Sequence, residues 1–411
     1  MPDPAATSSP SLSDRLRSTG ESVRRTFDRL LEESVSGQTR PVQVAERLAI
    51  DKTLTGRLAR SLKAGDAMQV LHLCPAPHGL GIVIDAAKRR GASKEACSEA
   101  RRAIEAFQSL LDEFPGGRAD LDAALSSWLP DARRRDERRA KQAAYKAMSS
   151  LLGHSADGTY TAMIVQPGED EARCDVASVG CSYGVRRMRV DRPLRIAGFR
   201  RTAGDRETID SVQTLEGRAP KDPRELLIPE LSEHIEKIRI VEEPDRLQFT
   251  LDGDQPGINV PVTLAKAYLS RGEWCRYSRP GFTHEWWTNL PRIPTRIAVF
   301  DVFLRDDVYP DYRPNVRTRI EGLSVSWDTR SEEFDAADEI DLTVEQSSLG
   351  RGVARIASGD LPKVRELVSM AFDRLGWEAD RFRAFRFQST YPVPSVSYTT
   401  WFPLPPPPTS R

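Results

Sequence analysis

Lys52, Thr53, Gly56, Arg57, Arg60 and Lys63 fall on one stripe if the segment holding them is a helix. A stripe of that make-up suits hydrogen bonding to polar edges and pairing with anions. Thr53 offers a short donor and Arg57 a forked one, the two kinds that reach base edges in a major groove. Lys52, Arg60 and Lys63 suit phosphates, and Gly56 keeps that side narrow. From Asp51 to Lys63 there are four cations against one anion.

The elements that must carry this stripe can be read from Pro41 to Leu62. Pro41 suits the first position of a helix, where its missing N–H costs nothing. Val44 and Leu48 give that helix one apolar face, and Ala45 is small enough for a second helix to approach. Ala49 and Ile50 make the corner. Asp51 then caps the next helix, which buries Leu58 and Leu62 and leaves the cationic stripe outside.

Val44, Ala45, Leu48, Ile50, Asp51, Lys52, Thr53, Arg57 and Leu58 match a pattern of bacterial transcription regulators, Leu-Ala-x-x-Leu-x-Leu-Asp-Lys-Ser-x-x-Ser-Arg-Leu. The segment resembles the helix-turn-helix of winged-helix repressors. Ala49 stands where the turn commonly has glycine, and Thr55 where a buried valine or isoleucine is usual. The resemblance implies double-stranded DNA as partner and a homodimer, since one recognition helix reads too few bases. It also implies a wing, for which Met68 to Leu73 is the candidate strand and Cys74 to His78 the turn. No second wing strand is evident. Without DNA contact, the two helices would simply pack together or bind protein.

Other candidate chemistry is sparser. Gly180-Cys-Ser-Tyr-Gly184 matches the G-x-S-x-G nucleophile elbow, with Val176 to Val179 as the strand before it. The helix that an elbow needs after Ser182 is missing, so a glycine-rich β-turn explains the segment better than a hydrolase does. Gly79-Leu-Gly81 lacks the third glycine of a dinucleotide fingerprint, and no P-loop is present. The histidines (His72, His78, His154, His234, His284) have no zinc spacing, so neither a metal nor another cofactor is expected. Arg186, Arg187, Arg189, Arg192, Arg195, Arg200 and Arg201 face only Asp191 among acids, which suits a solvated sheet face better than an anion or nucleic-acid patch. Tyr268, Trp274, Tyr277, Phe282, Trp286 and Trp287 could line a small-molecule pocket or an oligomer interface, or form the domain's core.

With 411 residues, the chain exceeds what one hydrophobic core usually holds. Lys plus Arg equals Asp plus Glu at 60 each, which leaves local clustering to decide any affinity for nucleic acid. No stretch approaches the ~18 apolar residues of a membrane span, and no signal-like segment opens the chain. The five cysteines form no C-x-x-C pair, and we read them as reduced thiols in a cytoplasm.

The expected fold is multi-domain α+β. A disordered stretch (1–10) precedes a helix-turn-helix domain (11–75), in which Leu12, Leu16, Val23, Phe27, Leu30 and Leu31 form a helical stripe weakened at Gly20. A helical connector (79–153) follows, with Ser93 as a cap, Pro115-Gly116-Gly117 as a stop and a mixed-charge face from Asp131 to Lys141. An α+β domain with a mixed or antiparallel sheet (158–402) and a proline-rich tail (403–411) complete it. Strands are expected at Tyr160–Gln166, Met188–Ile196, Leu247–Leu251, Ile297–Leu304, Arg319–Trp327, Ile340–Val344 and Ala384–Phe387, with a helix at Leu361–Leu375. These elements suggest a DNA-binding regulator with a sensing or oligomerisation domain. The alternatives are a protein-interaction module and a serine hydrolase.

Overall fold

Leu16, Val23, Phe27 and Leu30 recur at helical spacing and are completely buried on one side of α1 (Leu12–Val35). The computed structural model describes residues 11–35, 40–200, 212–243, 246–252, 260–320 and 339–408. The expected disorder of 1–10, the far end of the 319–327 strand, Arg201 and the end of the tail lie outside them. The chain divides into two units, Met1–Glu137 and Arg138–Arg411, mixed α and β in sum, with helices N-terminal and sheets C-terminal.

In the first unit α1 is followed by α2 (Pro41–Leu48), α3 (Lys52–Leu62), α4 (Ala67–Leu73), α5 (Pro77–Arg89), α6 (Lys94–Asp112) and α7 (Arg118–Ser126). All seven share one core. The expected division into an 11–75 domain and a 79–153 connector therefore does not follow the packing: α5, α6 and α7 bury Leu80, Val83, Phe107 and Leu121 against the same interior as α1. The Ser93 cap is present, its Oγ accepting from the Ala96 amide at 3.1 Å.

The expected wing strand at Met68–Leu73 is instead helix α4. Asp66 caps it by accepting from the Met68 amide at 2.8 Å, and Ala67, Met68, Val70 and Leu71 form a buried helical face. Arg118 closes its far end, donating to the carbonyls of Leu71 (2.7 Å) and His72 (2.5 Å), which lack partners inside the helix. Gly79 belongs to packing: a Cβ there would lie 3.0 Å from Leu54 of α3.

The unit boundary falls within α8 (Pro130–Leu152). The second unit contains β1 (His154–Ser155), β2 (Gly158–Pro167), β3 (Arg173–Arg187), β4 (Leu194–Arg200), β5 (Val212–Gln213), β6 (Ile238–Glu243), β7 (Arg246–Leu251) and β8 (Val262–Cys275). It continues with β9 (His284–Asn289), β10 (Ile297–Arg305), β11 (Arg317–Ile320), β12 (Glu345–Arg351), α9 (Val364–Leu375), β13 (Phe382–Thr390) and β14 (Val396–Pro403). The main sheet runs β12-β13-β10-β2-β3-β8-β5, with β1 beside β3. Its β10–β2 pair is parallel and its other pairs are antiparallel. Smaller sheets have the orders β11-β14-β9 and β4-β7-β6.

Both faces of β10 are covered, which explains why its residues are apolar except Asp301 and the terminal Arg305. Val299 and Phe303 meet the α9 face through Leu367, Val368 and Phe372. Phe300 and Val302 meet Tyr398 and Phe402 of β14 on the other side. On the α9 face, Asp301 pairs in register with Arg386 of β13. Arg386 donates to both carboxylate oxygens, from Nε at 2.8 Å and Nη2 at 2.7 Å, and Tyr160 donates to Oδ2 at 2.8 Å.

Several expected elements shift. Met188–Ile196 is not a strand: β3 ends at Arg187 and β4 starts at Leu194. Ile340–Val344 lies beside β11 without forming a ladder, because the Leu342 amide turns back to the Ile340 carbonyl. The tail is anchored at its start, with Leu404 buried, its amide bonded to Thr283, and the Pro405 carbonyl accepting from Ser278.

Candidate nucleic-acid interface

Local chemistry sets the α2–α3 corner. Pro41 opens α2, which buries Val44, Ala45 and Leu48. Ala49 then adopts the left-handed conformation (φ 53°, ψ 49°), and the Ile50 amide reaches back to the Ala45 carbonyl at 3.1 Å. That backbone explains why glycine is usual at this position. Asp51 Oδ1 accepts from the amides of Thr53 (2.8 Å) and Leu54 (3.0 Å). The Leu54 amide, with that of Thr53, holds the Asp51 carboxyl below its ordinary value.

Helix α3 buries Thr55, Leu58 and Ser61, and Leu62 is only partly buried. The Thr55 hydroxyl donates to the Lys52 carbonyl at 3.0 Å, so a hydroxyl replaces the usual branched aliphatic without being left unsatisfied. Lys52, Thr53, Arg57, Arg60 and Lys63 are exposed, with Gly56 half-buried among them. Among the described residues, the side chains of Lys52, Arg57 and Lys63 make no hydrogen bond or ion pair. Arg60 donates only to the Gly56 carbonyl of its own helix, at 3.3 Å. Arg60 and Lys63 also line an open groove together with Arg134, a cation that the sequence assigns to a solvated face.

The remaining candidates are dispersed. Ser182 lies inside β3, which continues from Gly180 to Arg187 with a bulge between Ser182 and Val185, where Gly184 has a positive φ of 58°. No strand-to-helix elbow follows Ser182, and the expected β-turn is this bulge, because β3 stays paired with β2 through Tyr183 and with β8 again from Val185. The arginine cluster is neutralised only in part. Arg186 pairs with Asp157 at 2.8 Å, Arg189 with Asp191 at 2.8 Å, and buried Arg187 reaches the Arg192 carbonyl.

Trp274 and Phe282 are buried, whereas Tyr268, Tyr277, Trp286 and Trp287 are half-buried. Trp274 packs on Phe402 and Tyr309, Trp286 on Phe282, and Trp287 edge-on to Phe300. Tyr268 packs on a separate cluster with Leu194 and Phe249, and Tyr277 lies under the Arg276 guanidinium. The register shift of β8 between Ser270 and Trp274 separates Tyr268 from Trp274.

Among the described residues no three metal-capable side chains converge. The cysteines are buried free thiols. Burial pushes Cys74 up to about 11 and both Cys174 and Cys181 to about 12, which leaves them poor nucleophiles at neutral pH. No single described helix is long and apolar enough to cross a membrane. No protein-family model, curated protein or solved structure matches this chain.

Proposed function

We propose that this protein is a DNA-binding transcriptional regulator in which α3 enters the major groove. One observation carries the reading: a capped helix presents Lys52, Thr53, Arg57, Arg60 and Lys63 outward, and no acidic partner occupies Arg57 or the lysines among the described residues. Half-buried Arg15 and Arg29 of the same unit pair with carboxylates, those of Glu113, Glu33, Glu95 and Glu99. A stripe kept clear of them suits phosphate and base edges. Arg134 in the same groove extends the cationic surface beyond α3. Two copies of the chain would read paired half-sites, with the second unit serving as the sensing or dimerising part.

The test is a gel-shift series with genomic fragments between about 50 and 200 mM salt, a range over which counterion release is visible. The wild-type chain binds with a steep negative salt slope. Arg57→Ala with Arg60→Ala loses affinity, and its slope falls by about 0.9 for each phosphate contact removed. Unchanged affinity and slope in that double variant overturn the reading. Capture of a protein partner with little salt dependence favours the interaction module instead.

A further inference from the structure

A cavity of about 360 Å3 opens on the second unit, on the face of the main sheet opposite α9. Register builds its floor. Thr159 pairs with Ser182 and Thr161 with Gly180 across β2 and β3. Gly180 in turn pairs with Lys266 of β8, so these residues share one sheet face. The missing side chain at Gly180 leaves the floor low, and the Lys266 stem lies beside it, its Cε 3.7 Å from where a Cβ would be.

The walls come from elsewhere. The β4–β7 pair shifts register between Arg195 and Ala197, and this bulge lets the consecutive residues Arg195 and Ile196 both line the cavity, where a regular strand would send them to opposite faces. Arg292 enters from the loop between β9 and β10. Three cations and three hydroxyls thus line one concavity, and no aspartate, glutamate or histidine lines it among the described residues. Arg195 and Arg292 make no hydrogen bond or ion pair among those residues. Leu247, Leu264 and Ile293 add a buried apolar wall.

We infer that this cavity binds a small organic oxyanion, a phosphate ester or carboxylate, held by Arg195, Lys266 and Arg292 with the hydroxyls of Thr159, Thr161 and Ser182. Like charges lining a partly enclosed site focus potential toward its interior and raise the local concentration of counter-charged solutes. Guanidinium and ammonium donors give charge-assisted bonds to oxyanions, and hydroxyls complete the set. The apolar wall accommodates a carbon skeleton, which bare phosphate lacks. Ser182 acts here as a hydrogen-bonding group, since no lining histidine or carboxylate could activate it. The inference stands apart from the DNA reading, because it uses none of the α3 residues.

Calorimetry on the full chain tests it with glycerol 3-phosphate, citrate and inorganic phosphate as probes, against sodium chloride at matched ionic strength. At least one organic probe binds saturably, one per chain, more tightly than about 1 mM, and inorganic phosphate binds more weakly. Arg195→Gln with Arg292→Gln changes two exposed side chains and weakens binding roughly tenfold per cation. Gly180→Val raises the floor and weakens binding without altering charge, so the two variants separate shape from electrostatics. Arg57→Ala with Arg60→Ala leaves probe binding intact, which distinguishes this site from the α3 surface. The inference is overturned if no probe saturates the wild-type chain. It is equally overturned if the Arg195/Arg292 variant binds as the wild type does, or if the α3 variant is the one that loses binding.

Discussion

The carbonyl oxygen of Ala67 lies 2.0 Å from the point that a Cβ on Gly20 would occupy. Helix α1 therefore passes the start of α4 with backbone against backbone, and only glycine fits. Gly20→Ala gains helix propensity but forces the helices apart, a net loss of about 1–3 kcal/mol. Gly81, inside α5 with nothing within 4 Å of its notional Cβ, is the control. Gly81→Ala raises stability by about 0.5–1 kcal/mol. Denaturant titration of both variants checks the contrast, and a stabilising effect at both positions means that α1 and α4 do not touch there.

Ala49 holds a left-handed backbone that costs an L-residue roughly 1–2 kcal/mol. Replacing it with glycine relieves that strain, partly offset by the larger entropy of the unfolded chain. Ala49→Gly is expected to stabilise the first unit by about 0.5–1 kcal/mol, whereas Ala49→Val, β-branched in the same conformation, destabilises it. The order Gly, Ala, Val in thermal unfolding is the readout. The reverse order means that the corner is not left-handed.

The α2–α3 corner was legible because its signals are local: Pro41 at a helix start, Asp51 two and three residues before the amides it caps, and Leu58 at helical distance from Thr55. The apolar run of β10 was legible for the same reason. The α4 helix was misread because Val70, Leu71 and Leu73 also suit a strand, and the deciding contact, Gly20 against Ala67, lies far away in sequence. Strand β12 escaped notice because its residues are almost all exposed, and backbone pairing with β13 holds it without an apolar pattern. The cavity was illegible for a related reason. Thr159, Ser182 and Lys266 become neighbours only through sheet register, and Arg195 joins them through a bulge.

Asp301 and Arg386 are buried partners whose remaining bonds go to Tyr160 and to the carbonyls of Ile356 and Ala357. Removing one charge strands the other in an apolar interior. Asp301→Asn or Arg386→Met is expected to cost about 3–5 kcal/mol. Tyr160→Phe costs less because it leaves both charges paired, and its loss of about 1.5–3 kcal/mol is that of one hydrogen bond to a charged group. Denaturant unfolding of the second unit measures all three. A smaller effect for the charge variants than for Tyr160→Phe contradicts the pairing.

His154 begins β1, opposite Arg187 of β3. Burial pushes its imidazole below the ordinary histidine value, and a backbone bond with Leu152 opposes the shift only in part. In the unfolded chain the group titrates near its ordinary value of about 6.5. Above that pH both states hold it neutral and its contribution to stability is complete. As pH falls below about 6.5, the unfolded chain takes up the proton first, so stability drops until the lower folded value is passed. Melting of the second unit between about pH 7.5 and 5.5 is therefore expected to show a steeper loss for the wild type than for His154→Gln, over a window in which most carboxylates remain ionised. Parallel slopes in the two proteins assign the acid sensitivity to another group.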